Sequence, residues 1–174
     1  MVLELKLVRE PAPTSAPAPE FFAAMSALAG GVVLVTCDVG GRPWGMTVTA
    51  FASVAADPPT VLVSLRSDGT SAKAITASGR FAINILADGQ ENVARRGSAP
   101  GAPKFLDHLA VPGALAFLEC EVVQSAEIAD HTVFFGRVAS ARVLHEGEPL
   151  VYHRRAYRTV SDPHTTREMT CLSS

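Results

Sequence analysis

Charged residues are few: Asp, Glu, Lys and Arg together make up 18% of the 174 residues, with a formal net charge of −2. No long basic run occurs, so neither nucleic acid nor an anionic membrane surface has an electrostatic footprint to meet. Long apolar runs are lacking too; none approaches the ~20 residues that span a bilayer. The N-terminal "MVLELKLVRE" mixes acids with bases and runs into prolines, unlike a signal peptide. The three cysteines, Cys37, Cys120 and Cys171, are far apart and form no CxxC pair or ligand cluster. Buried thiols in a reducing cytoplasm are the expectation. Also missing are a GxSxG elbow, an HExxH helix, a Walker loop and a GxGxxG after a strand. The acids Asp57, Glu119, Glu121 and Asp130 show no defensible pairing. An enzyme built this way must borrow its reactivity from a cofactor, and no metal site is expected.

What is plentiful is apolar: 48% of the chain. One well-buried domain, or subunits that cover each other's apolar surface, fits that composition. Residues 1–19, ending in "PAPTSAPAP", read as a flexible Pro/Ala-rich segment, residues 20–160 as the domain and 161–174 as a flexible tail. "EFFAAMSALAGG" spaces Phe21, Phe22, Met25 and Leu28 as an amphipathic helix stopped by Gly30 and Gly31. Strands are expected at 32–38, about 45–56, 60–66 and 80–86. A helix over 70–79 and a second short one opened by Asp88 lie among them. The long strands 114–128 and 131–145, with only Ala129 and Asp130 between them, predict a hairpin. A last strand covers 149–160. Roughly six or seven strands with short connections favour antiparallel pairing and a closed or partly closed β-barrel with peripheral helices.

The stretch from Arg42 to Ser71 carries the most chemistry. In the expected strand, Met46, Val48, Ala50, Ala52 and Val54 alternate with Thr47, Thr49, Phe51 and Ser53. The even set reads as core. Water-facing strand positions would explain the hydroxyls of the other face, and so would a seat for a planar, polar-edged ligand. "RSDGTS" (66–71) leads into a helix at Thr70 or Ser71; it is an ordinary cap or an anion site, with Arg66 adding charge.

Taken in order, "GGRPWGMTVTAFASVAADPPTVLVSL", the hydroxyl loop, "SGRFAINIL", "KF", "DHTVFFGRV" and "PLVYHRRAY" resemble the short-chain flavin reductases of two-component monooxygenases. The resemblance covers about Phe21 to Tyr157. It implies a mainly β, antiparallel, Greek-key split β-barrel of the FMN-binding type with short peripheral helices. It further implies a homodimer with NAD(P)H:flavin oxidoreductase activity, in which NADH or NADPH reduces FMN or FAD and a separate flavin-dependent monooxygenase receives the product. By the same resemblance Thr47, Val48, Thr49 and Ala50 lie along the isoalloxazine edge. Ser53, Ser67, Thr70 and Ser71 lie toward the ribityl chain and phosphate, and Asn84, Lys104 and Phe105 line the site. His131 matches a "GDH" motif associated with nicotinamide binding, a positioning role, although Ala129 replaces its glycine. Arg154, Arg155 and Tyr157 bind a dinucleotide phosphate or adenine on this reading, or form a solvated strand end. The alternative activity is an FMN-holding carrier or electron-transfer module without nicotinamide turnover.

Overall fold

The β-branched run after Gly31 forms strand β2 (Val33–Asp38), buried at five of its six positions. A strand buried on both faces needs apolar residues throughout rather than alternation. Val33, Val35 and Cys37 enter one core cluster, while Leu34 enters a second with the preceding Val32. Around β2, in a computed structural model that describes residues 15–160, two antiparallel sheets assemble. Residues 1–14 and 161–174, with Cys171 and most of the two segments expected to be flexible, lie outside the described residues.

The larger sheet joins β2 to β3 (Pro43–Val48), β4 (Phe51–Ala56), β5 (Pro59–Arg66), β6 (Arg80–Ile85), β7 (Ala116–Ile128) and β8 (His131–Val143), in the order β3-β2-β6-β7-β8-β5-β4. Its two edges, β3 and β4, are consecutive in the chain with only Thr49 and Ala50 between them. The edges therefore meet at that end and the sheet curls into a barrel left open elsewhere, an antiparallel split barrel. Inside lie Val63, Leu65, Phe81, Ile83 and Phe134. Helix α2 (Thr70–Ser78) adds Ala72 and Ile75 to that core and ends on left-handed Gly79, φ 68°. The smaller sheet, β1 (Gly30–Gly31), β9 (Leu150–His153) and β10 (Ala156–Thr159), helps enclose the second cluster together with α3 (Glu91–Ser98).

The long hairpin β7–β8 is present as expected, with its register running from Ile128↔His131 to Ala116↔Val143. The chain departs from expectation at several points. The single strand over 45–56 is two strands on opposite edges, because the chain bends at Thr49–Ala50. That bend resets the alternation: Phe51 packs on the barrel core while Ala50, Ala52 and Val54 are exposed. The last strand is likewise two, since Arg154 and Arg155 take positive φ (47° and 61°) and turn the chain back on itself. Asp88 does not open α3, whose N-cap is Gln90; the Asp88 carboxylate accepts a bond from Thr159 Oγ1 at 2.7 Å. Helix α1 (Ala18–Ser26) exists, but its apolar face is not a core face: Phe21, Phe22 and Met25 are all exposed in the single chain. Cys37 and Cys120 are buried free thiols.

Ala129 holds φ 54°, and it alone of the two turn residues is left-handed, the pattern of a type II′ hairpin whose first central residue is normally glycine. The alanine thus keeps the turn at the expense of a Cβ in a disfavoured region. Ala129→Gly is expected to raise stability by about 0.5–1 kcal/mol, the relief of strain being partly offset by greater freedom in the unfolded chain. Denaturant midpoints of the two proteins check this; a lower midpoint for the glycine variant contradicts it.

Candidate functional site

The bend between β3 and β4 leaves a groove of about 430 Å³ lined by Val32, Met46, Thr47, Val48, Thr49 and Ala50. Its other walls come from Arg66 at the end of β5, His131 at the start of β8, Ser98 of α3, and Tyr152 and Tyr157. The two tyrosine rings meet edge to face at 5.2 Å, and the Arg95 guanidinium lies over the Tyr157 ring. The outer edge of β3 is paired as far as Gly45, whose N–H donates to Lys104 O at 2.9 Å while Pro43 O accepts from Leu106 N–H; beyond it, among the described residues, no strand pairs with the outer side of Met46–Val48. The outer backbone groups there offer a row of donors and acceptors to a planar ligand.

Past Met46 and Arg66, which line both, a second cavity of about 280 Å³ runs over Asp68, Gly69, Thr70, Ser71 and Lys104 to Trp44 and Gly101. It sits on the first turn of α2. The N-cap is Gly69, which has no side chain to cap the helix. The N–H groups of Thr70, Ser71 and Ala72 are therefore free to meet an anion. The Ser71 hydroxyl is buried without a hydrogen bond of ordinary geometry; the polar group beside it is the Cys37 thiol, pushed up to about 11 chiefly by burial. Lys104 contributes positive charge, and burial holds its pKa below the usual lysine value. Asp68 opposes that charge, but Arg66 grips it with two bonds of 3.0 and 2.9 Å, Nε to Oδ1 and Nη2 to Oδ2.

Most of the sequence candidates thus converge: Thr47, Val48, Thr49, Ala50, His131 and Tyr157 on the groove, Thr70, Ser71 and Lys104 on the cavity. Thr47 contributes through more than its hydroxyl, which donates to Ala94 O at 2.8 Å and ties α3 to β3. Others do not converge. Asn84 is fully buried and lines neither space. Its Nδ2 donates to Leu34 O, Thr36 Oγ1 and Leu109 O, and its Oδ1 accepts from Val111 N–H at 2.8 Å. Its work is to staple the 107–112 segment to β2 and β6. Ser53 sits on the exposed edge strand β4, away from both. Ser67 bonds Thr132 across the strand pair at 2.8 Å. Phe105 lines neither space; it stands edge-on to Trp44 at 5.0 Å with Arg42 over its ring. Arg154 and Arg155 form the exposed tip of the β9–β10 turn. Arg66 was legible only as added charge, and Tyr152 and Ser98 were not legible, since only the fold brings β9 and α3 to the groove.

The model of the flavin reductase like domain matches residues 25–161. The chain belongs to the flavin reductase-like family. A flavin reductase (NADH) of Kitasatospora aureofaciens is 34% identical over 166 residues, covering 88% of this chain and 87% of that one. The reductase component of 4-hydroxyphenylacetate 3-monooxygenase from Thermus thermophilus is 34% identical over 146 residues, 82% of this chain and 97% of its own. Among solved structures, a Streptomyces globisporus NADH:FAD oxidoreductase in complex with NAD and FAD fragments superposes with a TM-score of 0.77 at 27% identity, covering 86% of this chain and 99% of that one. The split barrel is thus the fold of this flavin reductase-like domain.

A flavin fits what the residues offer. Its ring edge carries hydrogen-bonding groups along one side, which the outer backbone of β3 past Gly45 and the Thr49–Ala50 bend can meet. Its phosphate is an anion, which the uncapped start of α2, Arg66 and Lys104 can hold.

Proposed function

We propose that this chain is an NADH-dependent flavin reductase that reduces FMN or FAD and supplies the reduced flavin to a separate monooxygenase. The observation that carries the reading is that the groove holding His131 and the β3–β4 bend adjoins the cavity on the open N-terminus of α2, with Met46 and Arg66 lining both. The groove has room for a nicotinamide beside a ring, and the cavity offers helix N–H groups to a phosphate. When bound, the flavin supplies the hydride-accepting ring. The chain's own residues position and desolvate. Edge backbone at 47–50 orients one ring, and Val32, Met46 and the Tyr152–Tyr157 pair exclude water from it. His131 places the nicotinamide so that the reacting atoms lie about 3–3.5 Å apart. No side chain needs to move a proton in that step.

Two further features belong to the reading. Phe21, Phe22 and Met25 on α1, Val54 on β4 and Val123, Ile128 and Val143 on the hairpin are large apolar side chains exposed in the single chain. They support a homodimer in which a second copy covers them. Buried, unpaired Cys37 and Cys120 support work in the reducing cytoplasm. No helix among the described residues is long and apolar enough to cross a membrane.

The test is consumption of NADH, and separately NADPH, with and without added FMN or FAD. Flavin-dependent NADH loss is expected. Flavin binding without turnover on either nicotinamide would instead identify a flavin carrier on the same barrel.

A further inference from the structure

Arg66, Asp68, Asp130 and His131 form a continuous chain of polar contacts beside the groove, whose wall Arg66 and His131 share. His131 Nδ1 lies 2.7 Å from Asp130 Oδ1, and the other oxygen of Asp130 is 3.4 Å from Arg66 Nη1. Arg66 is in turn clamped by both oxygens of Asp68. We propose that Asp130 is a positioning residue: it fixes His131 as the Nδ1–H tautomer, leaving Nε2 as a hydrogen-bond acceptor matched to the amide N–H of a nicotinamide carboxamide. The inference rests on the reading of the groove as a nicotinamide site.

An ionised carboxylate can only accept hydrogen bonds, so the Nδ1 facing it must carry the hydrogen. Asp130 is kept ionised: the hydrogen bond from His131 is the chief cause that holds the carboxyl below the usual aspartate range, and the Arg66 guanidinium acts in the same direction. A neutral imidazole with its hydrogen on Nδ1 has a bare Nε2. In free histidine that tautomer is the minor one, so the contact selects it against the intrinsic preference. A carboxamide –NH₂ is a donor and needs an acceptor, which the intrinsic tautomer could not supply at Nε2.

The carboxylate is also held in place. Asp130 O accepts from Ser67 N–H at 3.0 Å, the Ser67 and Thr132 hydroxyls bond at 2.8 Å, and Arg66 stands opposite His131 in the β5–β8 register. Left-handed Ala129 sets the direction in which the turn delivers both residues. The ion pairs themselves are exposed, with side chains 44% to 68% accessible, so they add little to stability. Placing a proton does not depend on such a contribution. Other titratable or charged groups face His131 from Arg66 on β5 and from the phenols of Tyr152 and Tyr157 across the groove, with Arg95 of α3 on the latter and Asp68 behind Arg66. None of these presents a second carboxylate to the ring.

The experiment is a two-bond ¹H–¹⁵N correlation of the histidine rings in the full chain, without ligand and at a pH where the rings are neutral, with His131→Gln giving the assignment. The wild type is expected to show a protonated Nδ1 and a bare Nε2. Asp130→Asn, whose amide can donate to Nδ1, is expected to shift the population toward Nε2–H and to raise the KM for NADH roughly tenfold with a smaller change in kcat. Nε2–H as the main wild-type tautomer overturns the proposal, and so does an unchanged KM in a folded Asp130→Asn protein. The wild-type spectrum decides even where the variant fails to fold. Absence of NADH turnover in the wild type would fault the reading of the activity, while the tautomer is read independently of it.

Discussion

Replacing Asn84 by alanine is expected to lower stability by about 3 kcal/mol, a fall of roughly 10 °C in Tm, without weakening flavin binding by the folded protein. The side chain is wholly buried and makes four bonds, which reach the backbone of β2 at Leu34, the 107–112 segment at Leu109 and Val111, and the Thr36 hydroxyl. Alanine takes away the acceptor of Val111 N–H, itself nearly inaccessible, so that group is left desolvated and unpaired. An orphaned buried donor costs about 1–3 kcal/mol, and the lost amide bonds add about 1 kcal/mol each. Leu109 O suffers less, since Thr36 Oγ1 still donates to it at 2.8 Å. Thermal unfolding and a flavin titration together check this. Normal stability with lost flavin binding would return Asn84 to the cofactor site.

Gly97→Val is the second large effect expected: a loss of about 3 kcal/mol, with flavin binding weakened as well. A Cβ at Gly97 would collide with Thr47 Oγ1, stand 2.6 Å from Leu34 Cδ1 and only 3.0 Å from the Thr47 backbone nitrogen. Leu34 can turn aside, but the backbone of β3 cannot. Helix propensity pulls the other way, since glycine inside a helix costs up to about 1 kcal/mol, too little to reverse the sign. Helix α3 must lift off, breaking the bond from Thr47 Oγ1 to Ala94 O. Thr47 and Ser98 both line the groove, so the displacement reaches the ligand seat. Denaturant unfolding with a flavin titration checks it; a variant as stable as the wild type would mean that α3 packs more loosely than described.

These two residues also show where sequence reading stops. Val33–Cys37 and the β7–β8 hairpin were legible because their signals are local: an apolar run, and two strands with a two-residue turn. The helix that starts at Thr70 is legible for the same reason, although the choice between a Ser/Thr cap and an open N-terminus is settled only by Gly69 at the N-cap. Asn84 was misplaced because a buried amide looks in sequence like any polar residue in a strand; only its partners at Leu34, Leu109 and Val111 reveal it. The exposed face of β4 departs from the alternation expected of one continuous strand because the chain bends at Thr49–Ala50, a point that no glycine or proline marks. Tyr152 and Ser98 reach the groove through pairings distant in sequence, β9 with β1 and α3 on β3, which a local pattern does not contain.

The central claim is that the groove and the adjoining cavity together hold a flavin with its ring at the β3–β4 bend and its phosphate on α2. Binding of FMN and of riboflavin, followed by flavin fluorescence at low and at high salt, tests it most directly. The two ligands share the ring and differ in the phosphate. FMN is expected to bind at least about tenfold more tightly, a charge-assisted contact being worth roughly 1.5–3 kcal/mol, with the advantage shrinking as salt rises. Equal affinities for the two flavins at every salt concentration, or no binding of either, would contradict it.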